Sequence, residues 1–204
     1  MKKRTVFIGA ILSLIPLGQP FIIKTSVTLS ITGLMLYVPE KVYSGSGDFY
    51  YNRGIDKYDA GDYKGAISDY TKAITINSRD EDAYFNRGLA KRKLEDYYGA
   101  ISDYTKAIEI NSRKVSAYHN RGVAKEFLKY YESALKDYEK ATSLDPGHYL
   151  AWSGVGNMKS MLKDYYGAIS ALNKAIEINP SASKVYNNRG IAKIKIGDDK
   201  GGCN

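Results

Sequence analysis

The chain has 204 residues, of which 44% are hydrophobic and 12% aromatic, and a formal net charge of +8. Residues 1–46 carry +4 of this charge, and the much longer remainder carries the other +4. The remainder therefore has an ordinary solvated surface, without the concentrated basic stripe that nucleic-acid binding requires. A single cysteine, Cys203, excludes an intrachain disulfide and a cysteine metal cluster.

Two apolar runs occupy the N-terminal segment, residues 1–43. A basic start at residues 1–4 precedes the first run, residues 6–17, and the second run covers residues 27–38. Each run is shorter than the ~20 residues of a single membrane span, and together they exceed one span. Three interpretations stay open: an uncleaved membrane anchor, a hairpin of two short crossings, or a secretory signal that is removed. Residues 44–46 are predicted to be a flexible linker.

The N-terminal segment also predicts where the protein is located in the cell. We expect a membrane-associated protein, held by a single N-terminal anchor or a short hairpin, and the alternative is an exported protein whose signal has been cleaved. The basic start favours an N-terminus inside the cell. One crossing would then place the rest of the chain outside the cytoplasm, and two crossings would place it inside.

From residue 47 the sequence repeats itself every 34 residues. The tripeptide Asn-Arg-Gly occurs at residues 52–54, 86–88, 120–122 and 188–190, and Gly156 keeps the same step. A second block, Gly-Ala-Ile-Ser, begins at Gly65, Gly99 and Gly167, with a weaker copy at Ser133. Self-similarity at a fixed period indicates a stack of one supersecondary unit rather than a globular enzyme domain.

Each repeat contains two predicted helices, so the fold class is all-α. In the second repeat the first helix is predicted over residues 82–94 and the second over residues 97–110, where apolar side chains recur at helical spacing. Prolines at Pro146 and Pro180 end the second helix in later repeats. Small residues, such as Gly88, are expected to let the two helices approach closely.

These positions resemble the tetratricopeptide repeat (TPR) family, whose signature spaces an aromatic residue, Gly, Ala, an aromatic residue, Ala and Pro. The resemblance covers about residues 47–197 and implies a right-handed superhelical solenoid of antiparallel helix pairs. It also implies repeats at 47–80, 81–114, 115–148 and 149–182, followed by a truncated fifth repeat at 183–204. The second repeat supplies Tyr84, Gly88, Ala100, Tyr104 and Ala107, with Ser112 in place of Pro, and the fourth supplies Trp152, Gly156, Ala168, Leu172, Ala175 and Pro180.

Arginine precedes the repeat glycine where the family normally has leucine, at Arg53, Arg87, Arg121 and Arg189. Two interpretations stay open. The aliphatic stem covers apolar surface while the guanidinium reaches water or a turn carbonyl, or the arginines form a ladder for an acidic ligand.

The fifth repeat contains a predicted first helix and then a turn at residues 197–201 that resembles the turn at residues 61–65. Two explanations are kept: a fragment or frameshifted copy of a longer array, or a natural short cap. A terminal helix can cover the last complete repeat, as stacked arrays require.

The resemblance implies that the first helices line a concave groove. Asparagine can donate to and accept from a peptide backbone, and aromatic rings offer flat apolar contacts. The family's two-carboxylate clamp for chaperone tails needs lysine where this chain has Tyr51 and Phe85, and asparagine where it has Ile55 and Leu89, so that ligand is rejected. The groove residues expected to bind a partner are Tyr51, Asn52, Ile55, Tyr58, Phe85, Asn86, Leu89, Arg92, His119, Asn120, Val123, Glu126, Ser153, Asn157 and Asn188.

The sequence therefore predicts a non-catalytic scaffold that binds a partner peptide or helix and contacts the membrane through its N-terminal segment. No catalytic triad, metal spacing or phosphate-binding loop is recognisable, so no cofactor, small-molecule substrate or nucleic-acid partner is expected. Two alternatives are kept: a truncated paralogue without an independent role, and, less favoured, a nucleic-acid-binding repeat protein.

Overall fold

The computed structural model describes residues 30–31, 34–35 and 46–197. Contacts divide the chain into two units, residues 1–44 and residues 45–204. In the first unit, β1 (Ser30–Ile31) pairs antiparallel with β2 (Leu34–Met35). Both strands fall in the second apolar run of the predicted membrane or signal segment, and the other residues of that segment lie outside the described part. No helix within the described ranges combines the length and apolarity of a membrane span.

In the second unit, residues 46–197 form helices only, which confirms the predicted all-α class. Helices of 13 residues alternate with helices of 14 residues, and we call them first and second helices. The predicted turn of the fifth repeat begins at Gly197, and its remaining residues lie outside the described part. The first helices are α1 (Gly47–Asp59), α3 (Glu81–Lys93), α5 (Val115–Phe127), α7 (Tyr149–Met161) and α9 (Ser183–Lys195), and the second helices are α2 (Tyr63–Ile76), α4 (Tyr97–Ile110), α6 (Tyr131–Leu144) and α8 (Tyr165–Ile178).

The repeated Gly-Ala-Ile-Ser block marks the start of a second helix. Asp96 caps α4 by accepting a hydrogen bond from the Gly99 backbone N–H at 2.9 Å, a standard way to satisfy a free helix-terminal donor. A Cβ on Gly99 would lie 2.1 Å from the Asp96 carboxylate, so a larger residue there would displace the capping side chain. In the third repeat Tyr130 occupies the cap position without a side-chain bond, and Ser133 replaces the glycine. The weaker copy thus lacks both members of the cap.

A glycine on each of α1, α3, α5 and α7 lies against a large side chain of the second helix that follows it. A Cβ on Gly88 would approach the Tyr104 ring to 2.7 Å, and Tyr104 has no exposed surface. The same contact joins Gly54 to Tyr70 and Gly122 to Tyr138, while Gly156 faces Leu172. The predicted close approach at these glycines is therefore present, and each tyrosine ring fills the core of its own repeat.

Ion pairs link the two helices of each of the first three repeats. The arginine before the glycine donates two hydrogen bonds to an aspartate sixteen residues later, and a lysine one turn after the arginine contacts the same carboxylate. The pairs are Arg53–Asp69 (2.7 and 2.6 Å), Arg87–Asp103 (2.9 and 2.7 Å) and Arg121–Asp137 (2.9 and 2.7 Å), with Lys57, Lys91 and Lys125 at 2.7, 2.8 and 2.7 Å.

For Arg53, Arg87 and Arg121, both sequence interpretations named the wrong partner. The guanidinium groups of Arg53, Arg87 and Arg121 bind buried aspartates of the protein itself. A bidentate pair matches the planar guanidinium to the carboxylate. The hydrogen bonds to Arg53 and Lys57 outweigh burial and hold the pKa of Asp69 at about 2.

The arginines also join consecutive repeats. The remaining amino group of Arg87 donates to the Thr71 hydroxyl of the preceding repeat at 3.0 Å, and Arg121 donates to Thr105 in the same way at 3.0 Å. Each arginine additionally lies over the tyrosine three residues before it, as Arg87 does over Tyr84 at 5.5 Å. One side chain therefore connects three helices.

The fourth repeat replaces the ion pair as a unit. Val155 stands at the arginine position and Ala171 at the aspartate position, and both are buried. The retained lysine, Lys159, instead contacts Asp164 at 3.6 Å. Removing one member of a buried pair leaves an uncompensated charge, whereas replacing both by packed apolar groups is often neutral. The fourth repeat is consistent with this rule.

We predict that Gly88→Leu destabilises residues 45–204 by about 1–3 kcal/mol or more, because the new side chain collides with the Tyr104 ring. Gly47→Ala is the control: a Cβ there meets its nearest neighbour at 3.6 Å, an ordinary contact. Urea unfolding followed by circular dichroism measures both. Equal stabilities of the two variants would contradict the contact.

We also predict that Asp103→Ala costs about 3 kcal/mol of unfolding free energy, because Arg87 and Lys91 lose their buried carboxylate. The double variant Arg87→Val plus Asp103→Ala copies the fourth repeat and should recover most of that loss. The same unfolding measurement decides the matter. The single variant Arg87→Val completes the set, and if the losses of the two single variants simply add in the double variant, the pair is not energetically coupled.

Candidate peptide-binding groove

The stack of residues 46–197 curves toward its first helices. Consecutive first helices, such as α5 and α7, contact each other. Within the described residues, consecutive second helices make no comparable contact. The first helices therefore lie on the inner side of the curve, and the second helices lie on the outer side. The surface made by α1, α3, α5, α7 and α9 on this inner side is called the groove below.

The structure places the predicted binding residues on the first helices. All of them except Asn52 are half-buried, and Asn52 is exposed. Half-buried side chains on a shared face are accessible yet held in place by their neighbours. Their role in binding stays a prediction.

Buried tyrosines form the floor of the groove. The side chain at the fifth place of a repeat packs on the tyrosine of the same repeat's second helix. The ring centroids lie 6.0 Å apart for Tyr51 and Tyr70, 5.7 Å for Phe85 and Tyr104, and 5.7 Å for His119 and Tyr138.

The groove asparagines bind the protein as well as offering polar groups to a ligand. The Asn86 amide donates to the Tyr51 hydroxyl at 2.9 Å, and the Asn188 amide donates to Asn157 at 2.8 Å. The Asn120 amide donates to the Ser116 carbonyl at 2.9 Å. Each of these amides thus has one donor committed within the stack. A shallow depression between α7 and α9 brings three predicted residues together: Ser153, Asn157 and Asn188.

Two polar atoms near the middle of the groove lack a standard hydrogen bond. The Tyr104 hydroxyl and the Arg92 Nε are buried, and neither makes a hydrogen bond of standard geometry among the described residues, although the Arg92 guanidinium lies near enough to the Tyr104 hydroxyl to interact with it. Burial raises the pKa of Tyr104, and the nearby Arg92 charge opposes that change. Most buried polar groups in folded proteins are paired, so this pair of atoms needs an explanation. Sequence reasoning selected Arg92 but gave no sign that Tyr104 is unsatisfied.

A second polar cluster lies next to this pair. The ring centroids of His119 and His148 are 5.0 Å apart, and the Tyr138 hydroxyl donates to Glu126 at 2.8 Å. Burial lowers the pKa of His119 to about 4, and the charges of His148 and Arg92 act in the same direction. His148 also caps α7, accepting from the Ala151 N–H at 3.1 Å. The sequence predicts only His119 as a groove residue, because nothing in the spacing brings these two histidines together.

Metal binding is not indicated in the part of the chain that the structure describes. No group of three or more histidine, cysteine, aspartate or glutamate side chains converges there. The two histidines alone supply fewer ligands than a structural or catalytic zinc site uses.

Comparison with known families matches most of the stack. Models described as TPR repeat and tetratricopeptide repeat match residues 56–95, 81–114, 115–148 and 151–181. Together they cover more than half of the chain. No curated protein sequence matches the chain significantly.

Solved structures show the same fold. MamA from Desulfovibrio magneticus RS-1 superposes with a TM-score of 0.72 at 20% identity, over 76% of this chain and 87% of that one. YrrB, described as a TPR protein with an unusual peptide-binding site, gives 0.67 at 19% identity, over 76% and 79%. The Arabidopsis OM64 TPR domain gives 0.56 at 29% identity, over 57% and 96%. The repeat period, the helix pairs and these matches establish that the chain belongs to the tetratricopeptide repeat family.

Proposed function

We propose that this protein is a non-catalytic scaffold that binds a peptide or helix of a partner protein in the groove. The observation that carries the proposal is the polar pair of Tyr104 and Arg92 at the groove floor, where the Tyr104 hydroxyl and the Arg92 Nε make no hydrogen bond of standard geometry among the described residues. A bound peptide offers carbonyl and carboxylate oxygens, which are the acceptors that these two donors lack.

Aromatic and aliphatic side chains surround this polar centre. Phe85 and Leu89 pack against the buried cluster of Ala100, Tyr104 and Ala124 while they keep part of their surface accessible. Interfaces of this kind combine apolar anchors with a few polar groups that fix orientation. The peptide-binding site of YrrB supports such a role by analogy of fold.

We further propose that the N-terminal segment tethers this scaffold to a membrane, so that a partner is retained there and complexes assemble at its surface. The two apolar runs at residues 6–17 and 27–38 support the tether. Export after cleavage of the segment is the alternative.

We predict that Arg92→Gln weakens binding of a groove partner about tenfold or more, because a desolvated charged donor is lost. Lys106→Gln is the matched control, since it removes the same charge from an exposed site on α4. Peptides selected by display on residues 45–204 provide the ligands, and titration calorimetry measures the affinities. If both variants bind alike, or if selected peptides ignore the groove, the proposed site is wrong.

For the tether, we predict that the full chain sediments with membranes and that residues 45–204 remain in the supernatant. Fractionation followed by protease protection tests this and also reports which side of the membrane the repeats face. Recovery of the intact full chain, with its first residues, in the soluble fraction would contradict the tether.

A further inference from the structure

Arg92 differs in its surroundings from the arginines that hold the repeats together. Arg53, Arg87 and Arg121 each bind a buried aspartate. Arg92 is half-buried on α3 and pairs with no carboxylate in the part of the chain that the structure describes. Partial burial of a charge without a counter-ion is unfavourable, so this place in the groove suits an anion.

Aromatic rings from α1, α4, α5 and α6 lie around the Arg92 guanidinium. The Tyr104 hydroxyl lies near it. Burial raises the pKa of Tyr58 and of Tyr138, and the charge of Arg92 opposes both rises. Burial lowers the pKa of His119 to about 4, and the same charge acts in that direction. These rings are neutral at pH 7, so the positive charge of the guanidinium is left for a ligand to balance.

The acidic residue at the equivalent place of the next repeat is engaged elsewhere. Glu126 stands on α5 where Arg92 stands on α3, and it accepts a hydrogen bond from the Tyr138 hydroxyl at 2.8 Å. A backbone carbonyl from a ligand would leave the charge of Arg92 unbalanced. An aspartate or glutamate side chain would balance it and would form a charge-assisted hydrogen bond.

An apolar pocket of about 310 Å³ lies between α5 and α7, next to Glu126. Two large apolar side chains remain exposed at this pocket, 59% of Phe127 and 55% of Met161. The Phe127 ring is held by stacking on Tyr97 at a centroid distance of 4.8 Å. Because Glu126 belongs to both the groove and the pocket, the two are continuous. The pocket is lined by Glu126, Phe127, Lys129, Tyr131, Met158 and Met161.

The repeat pattern sets the separation of the pocket from Arg92. The helices α3 and α5 contact each other, and so do α5 and α7. Packed helices lie roughly 8–10 Å apart, and an extended chain advances about 3.3 Å per residue. A ligand that crosses the groove from Arg92 on α3 therefore reaches the pocket beside α5 after roughly three to five residues.

We propose that the groove recognises an extended partner segment with two anchors. An aspartate or glutamate side chain binds Arg92, and an aromatic or methionine side chain, roughly three to five residues away, fills the pocket at Phe127 and Met161. The motif rests on the proposed scaffold function and names the chemistry of its partner. The charge selects an acidic ligand, and the pocket fixes the position of that ligand along the groove.

The test begins with random-sequence peptides displayed on phage and selected on the full chain in a mild detergent. A selected peptide is then synthesised with a fluorophore, together with one form whose acidic residue is replaced by its amide and one whose apolar anchor is replaced by alanine. Anisotropy measures their affinities for Arg92→Gln and Met161→Ser. The matched controls are Lys106→Gln, an exposed charge on α4, and Ile76→Ser, an apolar side chain that is 51% exposed at the end of α2.

Selected peptides should combine the two anchors at the stated spacing, and Arg92→Gln and Met161→Ser should each weaken binding about tenfold. The amide form should lose little more on Arg92→Gln, and the alanine form little more on Met161→Ser, because each pair removes one contact. The controls should bind normally, and circular dichroism checks that every variant retains its helix content.

Two results would overturn the motif while leaving the scaffold function in place. One is binding that depends on Arg92 but is equally strong for the amide form. The other is binding that depends on Arg92 but is unchanged by Met161→Ser. Peptides that bind every variant alike, or a selection that yields no binding peptide, would refute the scaffold function and the motif with it.

Discussion

A glycine on a first helix, lying against a large side chain on the second helix, sets the geometry of every complete repeat. Because Gly88 has no side chain, the Tyr104 ring fits between the two helices and becomes fully buried. The ring then supports Phe85 and so forms part of the groove floor. Burial of a tyrosine also commits its hydroxyl to a site without water. The same contact therefore fixes the helix spacing and places a buried hydroxyl, which needs a hydrogen-bond partner, beneath the groove.

The hydrogen bonding of this buried hydroxyl differs from one repeat to the next. The Tyr138 hydroxyl donates to Glu126, while the Tyr104 hydroxyl makes no hydrogen bond of standard geometry among the described residues and lies near the Arg92 guanidinium. Leu172 takes the place of tyrosine in the fourth repeat and removes the polar group altogether. The repeats share one packing scheme, yet they offer different chemistry to a ligand. Specificity can arise from such differences at equivalent positions on a common scaffold.

Much of the fold could be predicted from sequence because its determinants are local. The 34-residue period, the glycines and the helical spacing of apolar side chains are visible in one dimension, and the helices of the second repeat, α3 and α4, end within one residue of their predicted limits. The partner of Arg87 was missed because it lies sixteen residues away on another helix, which no helical period relates. A comparison of the repeats would have identified this partner, because the fourth repeat replaces both the arginine, by Val155, and the aspartate, by Ala171.

The candidate site was harder to predict for a related reason. The groove residues came from the resemblance to a family, and their half-buried state agrees with a surface that is both accessible and ordered. Which polar atoms lack partners depends on distances between helices, so Tyr104 was not identified. The proximity of His119 and His148 likewise arises from the stacking of α5 on α7.

The distribution of directional contacts along the stack has a mechanical consequence. Arg87, Arg121 and Arg189 each bond to the repeat before them, so three junctions are cross-linked by hydrogen bonds. Within the described residues no side-chain hydrogen bond joins α6 to α7, and the contact there is made by apolar groups such as Tyr138, Val155 and Met158. Apolar contact has no preferred direction and tolerates small sliding of packed helices. The stack should therefore bend most easily at the junction between α6 and α7. Bending there would change the width of the groove and so accommodate ligands of different thickness.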